Sequence, residues 1–431
     1  MTDERRNVVL ITADSIRADY CGFLDGPDTT PFLSDGSLNA AIFEKAIAPG
    51  PRTPSSVPIS MTGEWYRSSG RGSNADRLSE IAAHLRRFRT ISERLKEQGY
   101  TTAAITANPW TTTTTGFDTV FDEFQEIGAG YGSKGGERTF TDKLLDYVDQ
   151  WRKNTDWFAQ WTNYYDDVHE RMVQLEEPWF LWVFLLDTHS PYIVPRQYRR
   201  ESRPLSMYYS VLRYNLSVMR GNPDVELSSR VHEWTKRAYR DSIRSIDAFL
   251  ERLSTDMDLA RTSMVFHSDH GDAMREHGQY GHQNQMYEEN LRVPMVVLPV
   301  DRSARVSEPV SLLELPEILT DTAEDSLDPG SYTSTFTYSR TEFGEVDAIR
   351  GRRFKLISGQ EVDRDELYDL RTDPGERTNV IDEMPEVAGL LKRHLRDRRQ
   401  SVRDRSDIAR AARNVVTEGV PAEVRSYSGR T

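Results

Sequence analysis

The 431-residue chain has only one cysteine, Cys21. A single cysteine excludes an internal disulfide framework and a zinc site built from several thiolates. The chain also lacks an excess of basic residues, with 55 Lys and Arg against 68 Asp and Glu. The resulting net charge of -13 argues against a general nucleic-acid binder and against a basic protein of the membrane surface, because both need clustered cations.

Long apolar runs are missing as well. The first residues, MTDERRNVVLITADS, contain an apolar run too short for a signal sequence or a membrane span. We therefore expect no membrane span and a cytoplasmic location. The length exceeds that of one small domain and predicts a large domain with a smaller one attached.

The apolar runs that are present are short and alternate with long amphipathic stretches. This pattern is typical of buried parallel strands joined by crossover helices. It predicts an α/β fold with a large, mostly parallel sheet flanked by helices. The predicted strands are 7–12, 101–106, 179–186, 263–268 and 293–299, and the helical stretches include 78–98 and 228–254.

The residue pattern changes after about residue 330. Short strand-like segments alternate there with turns, and a helix is predicted near 384–398. We predict a large domain over 1–325 and a small C-terminal α+β subdomain with an antiparallel sheet over 326–400. Residues 401–431 have little apolar content and are predicted to form a flexible tail.

Acidic and imidazole side chains follow three of the predicted strands. Asp14 follows the first strand, Asp187 and His189 follow the third, and Asp269 and His270 follow the fourth. Ligand sites of such sheets lie beyond the carboxyl ends of the strands. Carboxylate and imidazole together suit zinc or manganese, and magnesium or calcium less well. Taken alone, Asp14 could equally cap a helix, and an Asp-His pair is more often structural.

The stretch GPRTPSSVPISMTG has the order of residues that begins a helix. Thr53 suits the N-cap, and Pro54 suits the first helical position, which needs no N–H. On this stretch alone, a capping threonine is the favoured interpretation. The N-terminus of a helix also attracts anions, and contact with a metal would favour loss of the hydroxyl proton and make the oxygen a nucleophile.

Several motifs occur in a recognisable order over roughly residues 7–382. They are NVVLITADSIRADYCGF, GPRTPSSVPISMTG, GYTTAAITANPW with GFDTVFDEF, DTHSPY, SDHGDAMREHGQYGHQNQMYEENLRVPM and LYDLRTDPGERTNV. In this order they resemble the sulfatase family of the alkaline phosphatase superfamily. The resemblance implies an alkaline phosphatase-like fold and metal-dependent hydrolysis of a sulfate, phosphate or phosphonate ester of a small molecule or glycan.

The resemblance also implies roles for single residues. Asp14, Asp269 and His270 match metal ligands of the family. Thr53, ten residues before Gly63, stands at the place of the nucleophile, which also contacts the metal.

Three further positions match residues near the substrate. His189 and His282 match groups that contact the ester or protonate its leaving oxygen, and Asn108 is a looser match to a substrate contact. One divalent ion, zinc, manganese, calcium or magnesium, is expected. The alternative is a second ion held by Asp187, His189 and His282.

The motif around Thr53 departs from the family. Sulfatases carry Cys or Ser, any residue, Pro, any residue, Arg, and oxidise the first residue to formylglycine; here the run is TPSSV, with Val57 in place of arginine. Ala13 also stands where many sulfatases have a second acid. A competing alignment reads SVPIS, with Ser56 as the modified residue, but it too lacks the arginine.

The chemistry of the nucleophile favours a phosphorus ester. A hydrated formylglycine has a second hydroxyl through which its sulfo-ester can collapse, whereas a sulfo-threonine has none. A phospho-threonine can be opened by in-line attack of water at phosphorus. The alternatives are transfer of a phosphoryl group to a sugar or lipid hydroxyl, which the same residues could perform, and a non-catalytic sulfatase-like binding domain.

Overall fold

The computed structural model describes residues 5–66, 74–128, 159–190, 192–218, 227–359 and 364–418. In chain order the strands are β1 (Asn7–Ala13), β2 (Ala41–Phe43), β3 (Ala46–Ile47), β4 (Thr101–Thr106), β5 (Glu123–Glu126), β6 (Trp179–Leu185), β7 (Thr262–Ser268), β8 (Ala273–Met274), β9 (Tyr280–Gly281), β10 (Arg292–Val293), β11 (Met295–Leu298), β12 (Ala304–Val306), β13 (Val310–Ser311), β14 (Thr337–Arg340), β15 (Val346–Arg350), β16 (Phe354–Gly359) and β17 (Glu366–Asp369). The helices are α1 (Thr53–Thr62), α2 (Asn74–Leu85), α3 (Ile91–Glu97), α4 (Tyr165–Gln174), α5 (Pro204–Val218), α6 (Ser229–Asp256), α7 (Glu288–Leu291), α8 (Leu315–Ala323) and α9 (Pro385–Glu418).

A large sheet with the strand order β12-β2-β11-β7-β1-β6-β4-β5 forms the centre of the molecule. From β7 to β5 all neighbouring strands are parallel. The predicted α/β architecture is therefore confirmed. The run 293–299 was expected to be a parallel strand, and this expectation is wrong: β11 is antiparallel to both β7 and β2. The apolar pattern reports that a strand is buried but not its direction, which depends on the connection to its neighbour.

The two faces of the sheet bury alternate residues of each strand. In β1, Val9 and Ile11 face one apolar core, and Val8 and Leu10 face the other. Helix α6 covers the first face, and helices α1, α2, α3 and α8 cover the second. Burial on both faces explains why the strand is apolar without alternation. The stretch 78–98, expected to be helical, forms two helices, α2 and α3.

The C-terminal region forms the predicted small antiparallel sheet, in the order β14-β15-β16-β17. Helix α9 packs on one face of this sheet through Ala388, Leu391 and Leu395. It begins at Pro385 and continues to Glu418, beyond the predicted end near 398 and into the segment expected to be a tail. The domain boundary at 325/326 stays a prediction, and residues 419–431 lie outside the described part.

A buried ionic cluster joins the small sheet to the large domain. The ammonium group of Lys355 is fully buried, 3.2 Å from Glu288 and 2.9 Å from Glu376. Arg350 lies 3.2 Å from Glu288 as well. Such a cluster fixes the position of the small sheet because each unpaired charge would be costly to bury. None of the helices in the described ranges is both long and apolar enough to cross a membrane.

Candidate active site

Asp14 and Asp269 meet because the strands that precede them are neighbours. Ala13 at the end of β1 is paired with Ser268 at the end of β7, so the next residue of each strand projects at the same edge of the sheet. One ligand atom from each of Asp14, Asp269 and His270 lies within 4.8 Å of the others, and all three side chains are fully buried. The predicted metal-ligand set is thus brought together.

The turn after Asp14 is shaped to support this cluster. Ser15 has a φ of 64°, a left-handed conformation that costs a non-glycine residue about 1 kcal/mol. In this conformation its N–H donates to Asp269 Oδ1 at 3.2 Å, and its hydroxyl donates to Asp14. The hydroxyl of Tyr239, on α6, donates to the carbonyl oxygen of Ser15 at 2.7 Å and so stabilises the turn.

Backbone groups also orient His270. Its Nδ1 lies 2.8 Å from the carbonyl oxygen of Gly271, so that Nδ1 carries the proton and Nε2 is left as a ligand atom. A Cβ atom at position 271 would lie 2.0 Å from the carbonyl oxygen of Glu289. Glycine is therefore required after the histidine for the chain to pass this close to α7.

Thr53 does not cap its helix, contrary to expectation. The N-cap residue is Arg52, with an extended backbone, and Thr53 and Pro54 are the first two helical residues. The Thr53 hydroxyl is thereby released from capping. It donates to Asp269 Oδ2 at 2.8 Å and lies 3.4 Å from His270 Nε2. Thr53 as a whole is 5% exposed.

Ser56, the alternative modified residue, has a different environment. Its Oγ donates to the backbone carbonyl of Asp269 at 2.6 Å. This bond ties the first turn of α1 to the turn that carries Asp269. In the structure the Ser56 hydroxyl therefore anchors the helix, whereas the Thr53 hydroxyl contacts the side chains of the cluster.

Asn108 lies at the same cluster. Its Oδ1 accepts from the N–H of Trp110 at 2.8 Å, which fixes the orientation of the amide. Its Nδ2 then donates to Asp14 Oδ2 at 2.6 Å and lies 3.5 Å from Thr53 Oγ1. An amide donor at this distance would stabilise negative charge that develops on the threonine oxygen.

His189 and His282 form the wall of the site beside the cluster. The ring centroid of His282 is 4.7 Å from that of His270 and 5.2 Å from that of His189. Nδ1 of His189 lies 2.6 Å from the carbonyl oxygen of Ser190. All the predicted site residues, Thr53, Asn108, Asp14, Asp269, His270, His189 and His282, are thus gathered in one place.

Asp187 belongs to a different environment from the two histidines with which the two-ion alternative groups it. Both of its carboxylate oxygens lie 3.2 Å from the N–H of Trp161. Among the described residues, Asp14, Asp269 and His270 are the only group of three or more that could hold an ion. The structure therefore offers one candidate ion site and not the second.

The pH dependence of stability should report the burial of Asp187. Burial raises the pKa of Asp187 to about 8, although the Trp161 N–H opposes this. Between the ordinary carboxyl pKa and about 8, the folded protein holds a proton that the unfolded chain releases, so stability falls as pH rises through this window. Asp187→Asn should make the free energy of unfolding less dependent on pH. At about pH 9 this free energy should exceed that of the wild type by at least about 1 kcal/mol.

Urea unfolding of wild type and Asp187→Asn at about pH 6 and about pH 9 measures this difference. Asp166→Asn is the control, because its carboxylate is 98% exposed and should leave the slope unchanged. Parallel pH profiles for wild type and Asp187→Asn would contradict the prediction.

The electrostatics of the cluster fit a divalent cation. Burial and repulsion from Asp14 raise the pKa of Asp269 well above its usual range. Burial, together with the charge of His282, lowers the pKa of His270 to about 3, so this ring is neutral and can act as a ligand. In the part of the chain that the structure describes, no Lys or Arg lies within salt-bridge distance of either carboxylate, and His270 is the one basic side chain at that distance. Burial opposes the ionisation of Asp14, but its electrostatic interactions with His189, His270 and His282 lower its pKa. Two buried carboxylates without a Lys or Arg partner are costly, and a cation between them would offset that cost.

Comparison with known proteins places this site in a family. The family model described as Sulfatase matches residues 6–324. The chain belongs to the sulfatase family. It is 23% identical over 444 residues to an arylsulfatase of Clostridium perfringens (strain 13 / Type A), covering 87% of this chain and 90% of that protein. A second match, to arylsulfatase K of Mus musculus, is 28% identical over 168 residues and spans 32% of this chain and only 30% of the mouse protein.

The fold of this sulfatase-family chain also matches solved structures. The crystal structure of the phosphonate monoester hydrolase of Agrobacterium radiobacter has a TM-score of 0.66 at 17% identity, covering 93% of this chain and 96% of that one. The predicted family and the predicted alkaline phosphatase-like fold are confirmed. Ester hydrolysis, the predicted enzyme class, is the activity that the names of these relatives share.

Two residues at the site were not assigned a role from the sequence. Asp272 is the last residue of the motif SDHGD, and its carboxylate lies 3.0 Å from Nδ1 of His282. Tyr192, in the motif DTHSPY, donates its hydroxyl to the same carboxylate. Both lie inside motifs already recognised, but nothing in their spacing indicates that they meet.

Proposed function

We propose that this sulfatase-family protein hydrolyses a phosphate or phosphonate ester through a covalent intermediate on Thr53. The observation that carries the proposal is the position of Thr53 Oγ1, 2.8 Å from Asp269 Oδ2 and 3.4 Å from His270 Nε2. A hydroxyl that contacts the candidate ligand set and makes no capping bond is suited to act as a nucleophile, which supports the proposal.

Asp14, Asp269 and His270 would hold one divalent ion, zinc, manganese, calcium or magnesium. When bound, the ion supplies Lewis-acid stabilisation of the charge on the transferred group. Residues of the chain orient the nucleophile, accept its proton and stabilise its charge. The carboxylate of Asp269 receives the hydrogen bond of the Thr53 hydroxyl, which orients the oxygen and gives its proton a route of departure. Nδ2 of Asn108 supports the negative charge that develops on that oxygen.

In the first step, a bond forms between Thr53 Oγ1 and phosphorus while the bond from phosphorus to the leaving oxygen breaks. His189 or His282 gives a proton to that leaving oxygen. In the second step, water attacks phosphorus and gives a proton to the histidine that donated one in the first step, the bond to Oγ1 breaks, and the proton taken up by Asp269 returns to Oγ1 and restores the Thr53 hydroxyl. Phosphorus is proposed over sulfur because a sulfo-threonine has no second hydroxyl through which to collapse.

A substrate panel tests the proposal. Aryl sulfate, phosphate monoester, phosphate diester and phosphonate ester are each assayed with manganese, zinc, magnesium or calcium. We expect kcat/KM for the best phosphorus ester to exceed that for the aryl sulfate by at least about 100-fold, about 2.7 kcal/mol of differential transition-state stabilisation. Faster turnover of the aryl sulfate would overturn the phosphorus preference, and no turnover of any ester with any ion would overturn the enzymatic assignment.

A further inference from the structure

Asp272 is a buried carboxylate at the site that the steps above do not use. Its side chain is 1% exposed. Oδ1 lies 3.0 Å from Nδ1 of His282, and Oδ2 accepts from the hydroxyl of Tyr192. Because an ionised carboxylate can only accept hydrogen bonds, the proton in the first contact belongs to Nδ1 of His282. The tautomer of His282 is therefore set by Asp272.

The backbone, and not side-chain flexibility, brings Asp272 and His282 together. In the hairpin of β8 and β9, Ala273 is paired with Gly281, so Asp272 and His282 stand opposite each other just outside the paired residues. Gly281 has a φ of 84°, and a Cβ atom there would lie 3.5 Å from the Tyr214 hydroxyl and 3.8 Å from Asp272 Oδ1. The pairing of the hairpin therefore places His282 beside Asp272.

The free nitrogen of His282 is available to a substrate. Nε2 has no hydrogen-bond partner in the described ranges, and the side chain is 23% exposed. The ring lies between those of His270, a candidate metal ligand, and His189. The ring of His282 is thus next to that of His270, whose Nε2 lies 3.4 Å from Thr53 Oγ1.

His189 has a different partner. Its Nδ1 lies 2.6 Å from the carbonyl oxygen of Ser190, a neutral acceptor. A carbonyl fixes the tautomer of an imidazole, whereas a carboxylate both fixes it and stabilises the imidazolium form that a proton donor needs. The two histidines of the wall are thus chemically unequal, although they stand side by side.

We infer that His282 is the proton donor to the leaving oxygen and that Asp272, with Tyr192, is the positioning pair that holds His282 for this step. The inference rests on the proposed function and decides between the two histidines it leaves open. As the bond from phosphorus to the leaving oxygen breaks, the proton on His282 Nε2 passes to that oxygen and Asp272 stays ionised. His189 then contributes a hydrogen bond to the substrate and not the proton.

Leaving-group dependence tests this division of roles. In the ester class that the panel identifies, 4-nitrophenyl and phenyl esters are compared, because nitrophenolate leaves with little need of a proton and phenolate needs one. Asp272→Asn should lower kcat on the phenyl ester by about 100-fold, and by at least about 10-fold more than on the nitrophenyl ester, with KM little changed. His282→Gln should show the same selective loss, and His189→Gln should lower both esters equally.

Asp321→Asn is the matched control, because Asp321 also accepts a hydrogen bond from a tyrosine hydroxyl, that of Tyr332, but lies on α8 away from the site. It should show no leaving-group selectivity. Tyr192→Phe serves if Asp272→Asn does not fold, with a smaller selective loss of about 5-fold, near 1 kcal/mol. Equal losses on both esters in Asp272→Asn, or a selective loss in His189→Gln, would overturn the inference. Failure of the proposed function is read separately, from the wild-type panel and from Thr53→Ala.

Discussion

Thr53→Ala is expected to lower kcat by at least about 10⁴-fold, because it removes the oxygen proposed to form the covalent intermediate. The effect should be on turnover and not on folding. The Thr53 hydroxyl makes no capping bond, and its contacts are with Asp269 and His270, which belong to the proposed site. The measurement is steady-state kinetics on the best substrate of the panel, with the melting temperature recorded in parallel.

Thr53→Ser and Ser56→Ala are the matched controls. Thr53→Ser keeps a hydroxyl at the same position and should retain measurable turnover. Ser56→Ala removes the bond to the Asp269 carbonyl and should cost about 1 kcal/mol of stability while keeping most of the activity. The reverse pattern, an inactive Ser56→Ala and an active Thr53→Ala, would select the alternative alignment. Intact mass after substrate trapping should show a phosphoryl or phosphonyl group on the wild type and none on Thr53→Ala.

Asp269→Asn is expected to abolish metal binding and to lower kcat by at least about 10³-fold, about 4 kcal/mol. Asp269 belongs to the candidate ligand set and also accepts the hydrogen bond of the Thr53 hydroxyl. Bound metal measured by plasma emission should fall from about one ion per chain, the number the single Asp14, Asp269 and His270 group can hold, to near zero.

The effect of Asp269→Asn on the free energy of unfolding, relative to the wild type, should have opposite signs with and without the ion. In chelator, Asp269→Asn should be at least as stable as the wild type, because the mutation removes the repulsion between two buried carboxylates. With the ion at about 100 times its dissociation constant, the wild type should gain about 2.7 kcal/mol and the variant almost nothing. Asp321→Asn, outside the site, should follow the wild type in both conditions. A variant that still gains stability from the ion would remove Asp269 from the ligand set.

The candidate metal cluster was predictable because parallel neighbours deliver their following residues to one edge. The sequence shows Asp14 after one buried run and Asp269 with His270 after another, and the pairing of Ala13 with Ser268 brings them together. The same rule places Asp187 at this edge, where the two-ion alternative groups it with the two histidines, but the rule gives only the edge that a residue reaches and not the direction of its side chain. The carboxylate of Asp187 lies against the N–H of Trp161.

The helix start at Thr53 shows the limit of local rules in another way. Threonine before proline indicates a cap, but in the folded chain the helix begins one residue earlier and Arg52 takes that position. The Thr53 hydroxyl donates instead to Asp269, which lies 216 residues further along the chain. Capping rules consider only neighbouring residues, so they cannot predict a hydrogen bond to a partner this far along the chain.

The sequence by itself determined the sheet-based fold and the family, and it predicted the seven residues that the structure brings together, because strand burial and motif order can be recognised in the sequence alone. Only the tertiary structure decided the direction of β11, the release of Thr53 from capping, and the pairing of Asp272 with His282 and Tyr192. Tyr192 and Asp272 are 80 residues apart, and whether they touch depends on how a hairpin and a loop close over the sheet. That closure is set by packing across the whole domain, which no short stretch of sequence contains.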